Sequence, residues 1–124
     1  MATLFSGGLI FDGNVLLESH AVLVENGIVS RCAPASEFAG FDGVLVDISG
    51  NTLLPGLFDC HVHLVFSGRP DPFQELTKLS AGEVTIKALE NAQADLLGGI
   101  TSVRDCGGKD YLEFAVRDLS LIHI

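Results

Sequence analysis

Residues 52–64 read TLLPGLFDCHVHL. An apolar run is broken by Pro55-Gly56, resumes, and then carries Asp59, His61 and His63 at alternate positions. An extended segment turns successive side chains to opposite faces, so these three share one face, and Cys60, Val62 and Leu64 share the other. Same-face Cα atoms lie roughly 6.6 Å apart. Two imidazoles on one tetrahedral cation need nitrogens about 3.4 Å apart, given bonds of about 2.0–2.1 Å. Side chains that lean together close that gap. The spacing predicts a histidine pair that holds a metal from one rigid element, with Asp59 orienting a ligand from behind it. Imidazole suits zinc, nickel and iron. A bare His-x-His pattern also occurs as hydrogen-bonded core, and that plainer reading stays open at this point.

The sequence on either side sorts into two styles. Before residue 52, short β-branched runs alternate with turn chemistry. In HAVLVENGIVSRC, Asn26-Gly27 separates two such runs, which is a strong hairpin signal. Asp12-Gly13 and Asp42-Gly43 mark further turns, and GVLVDISG reads as another strand. After Pro55-Gly56, LFDCHVHLVF reads as one strand, SGRPDP as a loop and FQELTKLS as a short helical turn. Ser80 and Glu83 match a capping box, which predicts a helix to about Leu97. Its apolar stripe would be Val84, Ala88, Ala92 and Leu96, widened by Leu89, with Gly98-Gly99 as the stop. ITSVRD is a further strand, and Asp110 is placed to cap a helix with Leu112, Ala115, Val116 and Leu119 on one face. Strand, helix, strand, helix is the grammar of a parallel α/β sheet.

Bulk properties narrow the function classes. The 124 residues are 48% hydrophobic and carry a net charge of -9. That composition fits a globular chain of about one domain. The acidity argues against nucleic acid, whose phosphates require a basic face. No run reaches the length of a membrane span, and the start lacks a signal-peptide pattern, so no membrane and a cytoplasmic location are expected. Cys32, Cys60 and Cys106 are an odd, widely spaced set without a CxxC pair. They are expected as reduced, buried small hydrophobes.

GNTLLPGLFDCHVHL resembles the first barrel strand of the amidohydrolase superfamily, and GGITSVRDCGG resembles the next strand in the branch with imidazolonepropionase-like and Xaa-Pro dipeptidase-like members. The β-rich start resembles the first part of the small sandwich those enzymes carry. The resemblance covers about residues 3 to 118. It implies part of a β-sandwich over 1–54, followed over 55–124 by the first βαβα portion of a (β/α)8 barrel, truncated. It implies His61 and His63 as metal ligands, Asp59 as the acidic residue beside them, and a divalent metal, zinc first. The metal would activate water to hydrolyse a C–N bond in a small-molecule amide, cyclic amide or Xaa-Pro dipeptide.

Such a barrel takes about 250 residues. The family's later ligands, a bridging lysine, further histidines and a last-strand aspartate base, have no positions in this chain, so its catalytic residues stay unknown. The chain is therefore expected to be an N-terminal fragment, inactive alone. The chain's last residues do not resemble what should follow, and whether 119–124 are native stays open. Asp105 and Arg104 close the second strand near the same mouth, where a polar strand end is more often structural. His20 is expected to be exposed or hydrogen-bonded. An unpaired strand edge would favour pairing with another chain, so a homo-oligomer is expected. The alternative is a small metal-binding module that uses His61 and His63 with a partner chain.

Overall fold

A computed structural model describes the backbone of residues 1–123 and the side chains of residues 1–119. The chain divides into two compact units, Met1–Pro55 and Gly56–Ile124.

The first unit is all β apart from one turn of 3-10 helix at Ala35–Phe38. Its strands are β1 (Ala2–Ser6), β2 (Leu9–Phe11), β3 (Leu16–Leu17), β4 (His20–Glu25), β5 (Ile28–Pro34), β6 (Val44–Asp47) and β7 (Thr52–Leu53). One sheet has the order β5-β4-β1-β6, the other β3-β2-β7. The β4–β5 hairpin turns at Asn26 and Gly27, whose φ angles of +52° and +79° are the left-handed pair that a type I′ turn requires. At the next turn, Asp12 accepts hydrogen bonds from the amides of Asn14 and Val15 at 2.8 and 2.9 Å. Leu4, Ile10, Ala21, Val22 and Ala33 are buried. His20 donates through Nδ1 to the Glu18 carbonyl at 2.7 Å.

The second unit pairs β8 (Leu57–Val62) with β9 (Ile100–Asp105) in parallel, with α1 (Pro72–Lys78) and α2 (Ala81–Leu97) between them and α3 (Glu113–His123) after. At Gly56 a Cβ would overlap the Thr101 side chain, so the Pro55-Gly56 break admits β9 close against the start of β8. Ser80 and Glu83 form the expected capping box, and α2 ends at Gly98. Asp71 caps α1 by accepting from the Gln74 amide at 3.1 Å. The core gathers Leu64, Val65, Leu76, Val84, Ala88 and Val116.

Four sequence expectations need correction. The β8 strand stops at Val62 rather than running through Phe66, because Leu64 and Val65 form a buried turn: core residues mimicked a longer strand. Helix α3 starts at Glu113, since Asp110 and Tyr111 take φ of +56° and +58°, which no helix accepts; Asp110 therefore shapes a turn instead of capping. The α2 stripe is buried at Val84 and Ala88, but Leu89 and Leu96 are about half exposed at 45% and 49%. All three cysteines are free and exposed, Cys32 on the outer strand β5, Cys60 in a sheet only two strands wide, and Cys106 just past the end of β9. His123 and the remainder of 120–124 lie outside the described side chains.

No helix of the described residues is long and apolar enough to cross a membrane.

Candidate metal centre

His61 is the penultimate residue of β8, and His63 lies one residue beyond the strand. Their ring centroids are 5.4 Å apart in an edge-on arrangement. His61 is exposed, and His63 is half-buried, with its ring 5.0 Å from that of Phe66. Two open depressions meet at His63. One, of about 420 Å³, is lined by Val62, Phe66, Asn91 and Asp95 among others. The other, of about 440 Å³, is more apolar, with Phe66, Phe73, Leu76 and Lys109 in its wall.

Side chains, rather than the strand ladder, hold the segment after β8. Asn91 of α2 donates through Nδ2 to the carbonyls of Leu64 and Phe66, at 2.6 and 2.8 Å. Lys109 donates through Nζ to the carbonyls of Leu76 and Leu79, at 3.0 and 3.1 Å. The cation thereby adds a donor to carbonyls at the C-terminal end of α1, where the last carbonyls of a helix lack a full set of backbone partners.

The histidine ring itself is gripped from the second strand. His63 Nδ1 lies 2.7 Å from the Gly107 carbonyl oxygen. A carbonyl only accepts, so Nδ1 carries the proton, and in the neutral ring Nε2 keeps its lone pair. A ring held this way by a backbone carbonyl is the common state of a metal-ligating histidine. The donor set present, two imidazoles with one tautomer fixed, fits a borderline cation such as zinc. Among the described residues no group of three histidine, cysteine or acidic side chains is close enough to enclose a metal.

The two acidic residues of the sequence reading act on backbone. Asp59 Oδ1 accepts from the His61 amide at 2.9 Å, so its contact is with the His61 main chain. Asp105 accepts twice, from the Leu64 amide at 3.2 Å and from the Gly107 amide at 2.8 Å. Sequence reasoning missed Gly107, Asn91 and Lys109. Gly107 had a signal in its Gly-Gly context after a strand; the other two act on carbonyls brought near only by folding.

No family model matches the chain. The imidazolonepropionase of Ectopseudomonas mendocina is 35% identical over 99 residues, which make up 77% of this chain and 24% of that protein. The crystal structure of an amidohydrolase is similar with a TM-score of 0.78 at 28% identity, covering 98% of this chain and 29% of that one. A Xaa-Pro dipeptidase crystallised with methionine in its active site gives 0.75 at 25% identity, covering 95% and 29%. The chain thus spans about a quarter of the length of the proteins it resembles. Sequence similarity and fold agree: the chain belongs to the amidohydrolase superfamily.

Proposed function

We propose that this chain carries the first two metal-ligating side chains of a hydrolase that breaks C–N bonds in small molecules. One observation carries the reading: the Gly107 carbonyl accepts a hydrogen bond from His63 Nδ1, which leaves Nε2 as the bare nitrogen of a ring whose centroid lies 5.4 Å from that of His61. In this reading Met1–Pro55 is part of a small β-sandwich, and Gly56–Ile124 opens a (β/α)8 barrel. Both histidines sit at the C-terminal end of β8, the end at which such barrels build their active sites. His61 and His63 hold a divalent cation, zinc in first place, and Asp59 steadies His61 through its amide. Bound there, the cation would supply Lewis acidity, lowering the pKa of water and polarising a carbonyl. The names of the relatives point to small substrates, and an amide, a cyclic amide or a Xaa-Pro dipeptide is the proposed class.

A catalytic zinc usually takes three protein ligands. With two on this chain, turnover by these 124 residues alone should be little or none. The absence of a third ligand among the described residues also favours a second reading, a small module that completes its site with a partner chain.

Zinc calorimetry on the purified chain tests both. The expected result is weak binding that His61→Ala diminishes. Sub-micromolar binding accompanied by dimer formation would favour the shared-site module. Isotherms unchanged in His61→Ala and in His63→Ala would refute the metal reading. Turnover of cyclic amides or Xaa-Pro dipeptides at the rate of an intact enzyme would refute the incompleteness argument.

A further inference from the structure

His63 has no ladder to fix it, because β8 ends at Val62. Its direction must come from elsewhere, and a single side chain reaches the backbone on both sides of the ring. Asp105 closes β9, where it pairs with Val62. One carboxylate oxygen accepts from the amide of Leu64, the residue next to His63. The other accepts from the amide of Gly107, whose own carbonyl accepts the His63 Nδ1 proton. Gly107 takes φ +114°, a left-handed conformation in which a residue with a side chain is strained.

We propose that Asp105 is a positioning residue for His63: its carboxylate clamps the two backbone segments that flank the imidazole, and through the Gly107 carbonyl it fixes which ring nitrogen stays bare. This rests on the reading of His63 as a ligand. In this scheme Asp105 acts on main chain, each of its oxygens accepting from one amide. The geometry also explains why a carboxylate is needed. An asparagine puts an NH2 donor where one carboxylate oxygen was, facing the amide of Gly107 or of Leu64, so one of the two bonds is lost. A free neutral imidazole favours the proton on Nε2; the clamp imposes the reverse.

The tautomer is readable without metal. Long-range proton–nitrogen correlation spectra of the metal-free chain, recorded above the histidine titration, should show His63 protonated on Nδ1. In Asp105→Ala the Nε2-protonated form should become the major species, and in Asp105→Asn the shift should be intermediate. Zinc affinity should fall about 10–100-fold in Asp105→Ala, the usual effect of losing a residue that orients a metal ligand. Backbone amide spectra establish that each variant is folded. If neither Asp105 variant folds, Gly107→Ala, which leaves the carboxylate in place, should produce the same tautomer shift by turning the carbonyl. A folded Asp105→Ala whose His63 tautomer is unchanged overturns the proposal, whatever happens to zinc. A wild-type chain that ignores zinc while its tautomer still responds to Asp105 supports the clamp and defeats the metal reading instead.

Discussion

The two units of this chain solve the same problem, fixing a strand, by different means. In Met1–Pro55 the inner strands β4 and β1 are each hydrogen-bonded on both sides, and turn residues set their register locally. In Gly56–Ile124 the sheet is two strands wide, so among the described residues β8 and β9 each have one partner. Phe58 and Val103 on these strands are 76% and 41% exposed. Order just past the end of β8 therefore depends on individual side chains, namely Asp105 and Asn91, each bonded to main chain on another element. A backbone ladder tolerates most substitutions because every residue supplies the same groups. A side-chain clamp tolerates few, because one residue supplies all of it.

That contrast can be attacked at three strengths. The largest effect should come from Leu76→Ala. This buried side chain belongs to the core of α1, α2 and α3, and its truncation should cost about 2–5 kcal/mol. Amide exchange should then rise throughout Gly56–Ile124 and stay unchanged in Met1–Pro55; equal loss in both units would erase the distinction between them. A smaller effect is expected from Gly56→Ala, whose new methyl group meets the Thr101 side chain. Overpacking of this kind costs about 1–3 kcal/mol. It should loosen the β8–β9 pairing first, seen as faster exchange at the amide of Leu57, which bonds the Gly99 carbonyl at 2.9 Å.

The smallest should come from Ser80→Ala, which removes the α2 cap at a cost of about 1 kcal/mol. It also has a pH signature. The Ser80 hydroxyl, and after it the Ser80 amide, hold the Glu83 carboxyl below its ordinary value of 4.5. A carboxyl depressed in the folded state adds stability that is present above its unfolded pKa and lost as pH falls through the folded one. Melting curves from pH 6 downward should show the wild type losing part of its lead over Ser80→Ala once the pH drops below about 4.5. A constant difference across that range would exclude the Glu83 contribution.

Local chemistry made much of the fold legible. The Asn26-Gly27 hairpin, the Ser80–Glu83 cap, the stop at Gly98 and the strand ITSVRD are each decided by a few adjacent residues, and each is where the sequence puts it. Errors came where burial competes with local pattern. Leu64 and Val65 continue an alternating apolar run, yet they turn inward to meet the helices, and nothing in the run marks the stop. Exposure of the cysteines was equally hidden, because it depends on how many strands flank β8 and β9 and how far β5 lies from the middle of its sheet. The histidines were legible as a pair by their spacing. Their support was not: the bond from His63 to Gly107 spans 44 positions, and only the pairing of β8 with β9 brings its ends together.

Thiol exposure has a practical consequence for any titration with a soft cation. Cys60 is the immediate neighbour of His61, Cys106 follows the strand paired with it, and both residues are exposed. Thiolates compete for zinc with imidazole. Heat released by the native chain is thus a sum over sulfur and nitrogen sites, and the share that disappears with the His61 ring is the share that belongs to the histidines.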